Sequence, residues 1–403
     1  IMNLNLKELK KNELDNLLFV FKESRHNADF FIRKFSNKYN VSHLFLRDKL
    51  NKTNNEIKNF INEIVQEKKI NTIIFEGDHL SEINFEFIDS FNKVKKGICL
   101  FDDYMYHEVN LITAQACDFV LTTCPISAFK FKERGINSFF TMLEGDGNLF
   151  KKLNLKKKYD VLFFGSMNSN RISYVNKLKE NNVNLKVVDK FSNESKKFSD
   201  LVKLINESKI VINFSKSYPL KKFFSNTKNI SHVYQLKGRV FTAGLCGTLC
   251  VSEHTPAFEL IFNDQEVPIF KNENECLKTI QNLLSNPERL NKLSEKFFLK
   301  SQEQLDTQII VKIKDFIERS NLDISVKNQK IPIWYEFIFL KQLIWIHFRK
   351  SNLKTYFKQT GEIFMQLYKK KIIYILFAAP YLIFYSIIFL LKNSFRIIRQ
   401  LNK

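Results

Sequence analysis

Short continuous apolar runs alternate with longer amphipathic stretches, and this alternation stops and restarts once along the chain. Strands are expected at 17–21, 42–46, 72–75, 98–101, 119–122 and 138–141, with helical stretches such as 55–66 and 127–134 between them. A strand buried on both faces reads as an unbroken apolar run, whereas a covering helix is apolar at every third or fourth residue. After the loop 144–148 and the charged connector 156–158, strands resume at 160–164, 185–188, 210–214 and 248–251. Helices are expected near 171–180, 198–208 and 240–246, and 272–319 reads as two helices broken at Asn286-Pro287. Parallel strands need such crossovers, so the fold class is α/β. It comprises two successive doubly wound, Rossmann-like domains, 1–150 and 151–325, followed by a helical tail over 326–403.

The tail is a different material. Residues 372–391 carry no charge and are long enough to cross a hydrocarbon core as a helix. Lys369, Lys370 and Lys371 precede the run, and Lys392, Arg396 and Arg399 follow it. Both tryptophans, Trp334 and Trp345, lie in the preceding amphipathic stretch, where an indole suits the headgroup boundary. From Ile331 onward, twelve basic residues face only Glu336 and Glu362, so about half of the formal charge of +21 sits there. No zinc-ligand spacing, RNA-binding signature or basic heptad region accompanies it, which points to anionic lipid and away from nucleic acid. The tail is therefore expected on an anionic membrane surface, as a spanning helix or an in-plane anchor. The alternative is a hairpin packed on the globular domains. The opening Met2-Asn-Leu-Asn-Leu-Lys lacks the basic-then-apolar pattern of a signal peptide, so the globular part is expected at the cytoplasmic face. Six scattered cysteines, with Cys246 and Cys250 lacking a second ligand pair, predict a reducing compartment and no metal site.

The block from Lys237 to Phe262 carries the most chemistry. Lys237 and Arg239 open a short helix that Gly247 closes, and helix N-termini suit phosphate. The following strand delivers Glu253, His254 and Thr255 to the edge where open α/β sheets bind ligands. Read by itself, the block is equally an ordinary helix–strand unit with a glycine cap. Upstream, Gly165-Ser166 follows the first strand of the second domain, with Asn170 and Arg171 opening the next helix. A glycine there lets backbone approach a ligand, and an arginine offers a planar fork of donors. In the first domain Glu76, Asp78, Asp102 and Asp103 follow strands, and Arg25 and His26 are further candidates. Neighbouring side chains on extended backbone point opposite ways, so only one of Asp102 and Asp103 is expected to face a ligand.

The same block resembles the signature of group 1-type glycosyltransferases, in particular the branch similar to the spore-maturation protein CgeB. That branch reads lysine-glycine-arginine-valine-phenylalanine-glutamate, then a small-residue helix, a glycine, an apolar strand and an acidic turn. Tyr159-Asp-Val-Leu-Phe-Phe-Gly-Ser-Met-Asn-Ser-Asn-Arg171 is similar to the opening of that family's nucleotide-binding domain. Phe101-Asp-Asp-Tyr and Cys117-Asp-Phe-Val-Leu-Thr-Thr123 resemble its N-terminal domain, and the matches run in the expected order across residues 15–300.

The resemblance implies the GT-B architecture, with an acceptor-side and a nucleotide-sugar-binding domain facing a cleft. It implies transfer of a sugar from a nucleotide-sugar donor to a lipid-linked or cell-surface polysaccharide acceptor. Helix ends and cations then serve the diphosphate, without a bound metal or cofactor. The implied donor and phosphate residues are Gly165, Ser166, Asn170, Arg171, Lys237, Gly238, Arg239, Thr242, His254 and Thr255. The catalytic candidates are Asp102, Asp103 and Glu253. One position departs from the pattern: the glutamate that usually holds the donor ribose is Thr242, a single hydroxyl instead of a carboxylate. That departure leaves open a second reading, a module that binds nucleotide or glycan without turnover.

Overall fold

The computed structural model describes residues 16–321 apart from 24–25, 37, 50–51, 78–82, 142–145, 190–197, 218–232, 264–265 and 304–306. Beyond these it describes 331–332, 334–335, 354, 357–358, 361–362, 365, 380, 383–384, 387–388 and 391.

The first sheet holds β1 (Asn16–Phe21), β2 (Asn40–Phe45), β3 (Thr72–Glu76), β4 (Lys95–Leu100), β5 (Phe119–Thr122) and β6 (Ser138–Phe140). Its order is β2-β1-β3-β4-β5-β6. The connections carry α1 (His26–Phe35), α2 (Asn54–Glu67), α3 (Phe85–Asp89), α4 (Asp103–Ala114) and α5 (Pro125–Glu133). Because β1 pairs in parallel with both β2 and β3, Leu17 through Phe21 are fully buried, which explains their unbroken apolar run. Phe19 meets Phe21, Phe31 and Phe35 edge-on at 5.2–5.4 Å, the geometry that aromatic quadrupoles favour. A capping box between Thr53 and Glu56 starts α2.

The second sheet holds β7 (Tyr159–Gly165), β8 (Leu185–Asp189), β9 (Ser208–Asn213), β12 (Leu249–Glu253) and β13 (Ile269–Phe270), with a short antiparallel pair β10 (Lys216–Ser217) and β11 (Val233–Tyr234) beside it. Its order is β13-β12-β9-β7-β8. The helices are α6 (Ser169–Glu180), α7 (Phe198–Asn206), α8 (Gly238–Leu245), α9 (Glu273–Leu284), α10 (Pro287–Glu303) and α11 (Thr307–Arg319). The break at Asn286-Pro287 falls in place, because a proline fits the first turn of α10 and not the interior of a longer helix. In both sheets the chain reverses direction of winding after its first strand pair, between β1 and β3 and between β7 and β9. Such switch points open a crevice beyond the carboxyl ends of the strands.

Residues 1–121, 130–139 and 319–403 form one compact unit, and 122–129 with 140–318 form the other. The tail therefore groups with the first unit, and the division falls near residue 140, before the expected 150. Tyr335 is 1% exposed, and its hydroxyl accepts the Phe85 N–H and shares a hydrogen bond with Thr113 Oγ1, both at 2.8 Å. Thr53 Oγ1 donates to Glu362 Oε1 at 2.9 Å, and Lys358 Nζ lies 2.6 Å from Glu56 Oε1. The Lys358 hydrogen bond first, and the Thr53 N–H second, lower the Glu56 carboxyl to about 2. Among the described residues no helix is long and apolar enough to cross a membrane. Most of the run 372–391 lies outside them, as does Trp345.

Removing the Tyr335 hydroxyl leaves the buried Phe85 N–H and Thr113 hydroxyl short of a partner. Tyr335→Phe is expected to destabilise the first unit by about 1–3 kcal/mol, read as a lower urea midpoint. A midpoint equal to wild type would remove Tyr335 from the structural core.

Candidate functional site

β7 ends at Gly165, whose φ of +136° is one that side-chain-bearing residues rarely adopt. A Cβ there would lie 2.5 Å from Arg239 Nη2, so the missing side chain is what lets a guanidinium rest against this backbone. Arg239 stands on the first turn of α8, with Cζ 5.2 Å from the Phe163 ring and 5.6 Å from Phe164. Arg171, on α6, approaches the same Phe163 ring at 5.7 Å and Phe214 at 5.9 Å, and its Nη1 donates to the Ser166 carbonyl. Two guanidinium groups therefore converge on one buried ring where β7 ends. The cap of α6 is Asn168, whose Oδ1 accepts the Arg171 N–H, while Asn170 sits one residue inside the helix. α8 begins at the buried Gly238, and its N-cap Lys237 makes no side-chain cap bond. Lys237 Nζ instead donates to Gln235 Oε1.

A cavity of about 250 Å³ opens beside these groups, lined by Asn170, Arg171, Tyr174, Lys216, Tyr234, Glu253 and Lys271 among others. Its walls come from the segments after β7, β9, β12 and β13, so it spans the switch point of the second sheet. Glu253 is buried at the end of β12, where Oε2 accepts the Lys216 N–H at 2.8 Å and its carbonyl accepts Ser215 Oγ at 2.7 Å. Burial first, and the Glu253 carboxylate second, push the Tyr174 phenol above its usual range.

The remaining implied donor residues fare differently. Thr242 is buried and its hydroxyl donates to the Arg239 carbonyl at 3.0 Å, within α8 and away from the cavity lining. His254 gives its N–H to the Phe270 carbonyl and keeps its ring 3.4 Å from Glu259 Oε1. Thr255 is fully buried, with no hydrogen-bond partner for its hydroxyl among the described residues.

In the first unit Asp103 is fully buried, accepting Asn110 Nδ2 at 2.7 Å on one oxygen and facing His107 Nδ1 at 3.1 Å with the other. Asp102 is the half-exposed N-cap of α4 and makes no side-chain cap bond. Of the aspartate pair, the second thus turns inward onto its own helix. Glu76 is also fully buried, with Oε2 accepting the Lys22 N–H across the β1–β3 switch point. Asp78 and Arg25 lie outside the described residues, as does the side chain of His26, which opens α1. Sequence reasoning missed Tyr174, Lys216, Tyr234 and Lys271, which become neighbours only through the sheet order. It also missed His107, for which a signal existed: four residues after Asp103 places it on the same helix face. The cysteines are free, and burial raises the Cys250 thiol to about 12. Among the described residues no group of His, Cys, Asp and Glu is placed to hold a metal ion.

Gly165→Ala forces a side chain into the left-handed region and against Arg239. A loss of about 1–3 kcal/mol is expected, visible as a lower thermal midpoint. Wild-type stability would show that the guanidinium does not need this contact.

Residues 147–307 match the family model described as glycosyl transferase-like, so the second unit is a glycosyltransferase-like enzyme domain. No curated protein matches the chain. Among solved structures, sucrose-phosphate synthase from Thermosynechococcus elongatus shares the fold, GT-B, at a TM-score of 0.52 and 9% identity, over 76% of this chain and 98% of that one. HepE from Anabaena, solved with UDP and glucose, aligns at a TM-score of 0.49 and 12% identity, over 75% of this chain and 99% of that one.

Proposed function

We propose that this chain transfers a sugar from a nucleotide-sugar donor to a lipid-linked or cell-surface polysaccharide acceptor, as a CgeB-like glycosyltransferase working at the cytoplasmic face of a membrane. The observation that carries the donor half is the pair Arg171 and Arg239 converging on Phe163 at the switch point, in a domain that matches glycosyltransferases. In glycosyl transfer the acceptor oxygen attacks the anomeric carbon, the bond to the diphosphate breaks, and the negative charge that develops on the leaving group must be stabilised. Pre-positioned guanidinium groups and the uncapped start of α8 supply that stabilisation without reorganising. This makes a metal unnecessary, so activity should survive EDTA. Abolition by chelator with rescue by Mg²⁺ would contradict the proposal.

For the acceptor, the first unit offers His107. Asp103 accepts from Nδ1–H, which leaves Nε2 as the proton-accepting nitrogen, and Asn110 keeps the aspartate in place. Asp103 is then a positioning residue and not itself the base. His107→Gln should lower kcat by roughly 10²–10⁴ while UDP binding is retained. An unchanged kcat would assign no proton transfer to this imidazole.

Arg239→Ala tests the donor site directly. Losing one or two charge-assisted hydrogen bonds, at about 1.5–3 kcal/mol each, should weaken UDP binding by calorimetry at least tenfold. Undiminished binding would sink the assignment. The hydroxyl of Thr242, spent on the Arg239 carbonyl, favours the second reading, a module that binds without turnover. Donor-dependent release of nucleotide across a panel of nucleotide sugars separates the two.

A further inference from the structure

The amino ends of the second sheet hold a cavity that the donor reading does not use. It measures about 420 Å³, within the roughly 300–1,000 Å³ of small-molecule sites. Its lining comes from the connector before β7, the start of β9, the end of α8 and the start of α10. β7, seven residues long, sets it about 20 Å from Gly165.

Three lysines line it, Lys152, Lys157 and Lys209, against one carboxylate, Glu295. Asp160 neutralises Lys209 at 2.7 Å. The other two are held in place without a carboxylate. Lys157 Nζ donates to the carbonyls of Asn206 and Ser208 at 2.9 and 2.8 Å, which leaves its third N–H unused. The stem of Lys152 lies over Gly247, where a Cβ would stand 3.0 Å from Lys152 Cδ, and its Nζ is 5.7 Å from the Phe298 ring centre. Among the described residues neither ammonium makes an ion pair with Glu295 or any other carboxylate. Cys246, on the same wall, is no counter-charge, because burial raises its thiol to about 12. Lys157 keeps contact with solvent, yet partial desolvation first, and the like charge of Lys152 as well, lower its ammonium below the usual range.

Lys157 answers the carbonyl end of α7, which accounts for its own placement but not for a second fixed cation beside it. Both side chains have already given up rotamer freedom, so an anion arriving there meets donors in position. A phosphate group carries nearly two negative charges at neutral pH, one for each ammonium. Asn291 and the start of α10 at Pro287 line the same space, and a helix start favours an anion. Leu155, Leu284 and Leu290 give the cavity an apolar wall beside its charged one.

We propose that this cavity is a second ligand site, which takes a small molecule bearing a phosphate group, with Lys152 and Lys157 on the phosphate and the leucines against the remainder. It stands independently of the donor reading, since no residue lines both this cavity and the one at the switch point.

The test is calorimetry on the full chain with two probes, inorganic phosphate and phenyl phosphate. Wild type should bind at least one of them with a Kd of about 1 mM or tighter. Lys152→Met and Lys157→Met keep an unbranched stem but remove the charge, and each should weaken that binding at least tenfold. Lys157→Met also strips two carbonyls of their donor, so Lys152→Met, at the surface, carries the test if the other fails to fold. Arg239→Ala, at the distant edge, should leave the affinity within about twofold. Phenyl phosphate bound at least tenfold tighter than inorganic phosphate assigns the site to a phosphate ester; otherwise the free ion is its ligand. Wild type that binds neither probe overturns the proposal. So does a Lys152→Met variant with a wild-type thermal midpoint that binds as wild type does. Binding that Arg239→Ala abolishes would put the phosphate at the end of β7, and overturns it equally.

Discussion

Parallel pairing of β9 with β7 on one edge and β12 on the other is the constraint from which the site follows. It aligns Val161 with Ile210 and Cys250 with Val211, so the three strands finish on the same side of the sheet. Gly165, Asn213 and Glu253 are therefore close in space although far apart in sequence. α8 returns Arg239 to that edge, and α6 departs from it carrying Arg171. Glu253 enters this arrangement as structure as well as chemistry, since its carboxylate and carbonyl fasten the segment 215–216 that forms one wall.

Much of the fold was legible because each signal was local. Leu17 to Phe21 reads as a strand buried on both sides, and it is one. Asn286-Pro287 reads as a helix boundary because proline lacks the N–H that a helix interior requires. The losses came where local signals are short or contacts distant. Two-residue strands such as Ile269–Phe270 have no period to detect. At the site, Gly165 and Arg239 were each visible, but their contact was not, because it depends on how α8 docks against β7. Adjacency led to the expectation that Asp102 and Asp103 diverge on extended backbone, whereas Asp103 opens α4 and is fully buried, with Asp102 as the N-cap.

The tail changes how the domains are counted. By composition it is a separate basic and hydrophobic piece, but its described residues are bonded to the first unit at three places. Glu362 meets the hydroxyl of Thr53, the residue that caps α2, and Lys358 neutralises the Glu56 of the same capping box. A negative charge at a helix N-terminus is favourable, so Glu362 suits the position it occupies. The start of α2 is thus built by both ends of the chain.

That shared construction sets an order of events during synthesis. The Tyr335 hydroxyl joins Phe85 and Thr113, which lie 250 and 222 positions earlier. At roughly 5–20 residues per second, a ribosome reaches Tyr335 about 11–44 s after Thr113. In that interval every strand and helix from β7 to α11 is made, so the second unit is complete while the first still exposes the groups that Tyr335 will cover. A chain truncated near Arg319 therefore carries a whole second unit and an unfinished first one. Quality control on the nascent protein would meet its exposed surface in the part synthesised first.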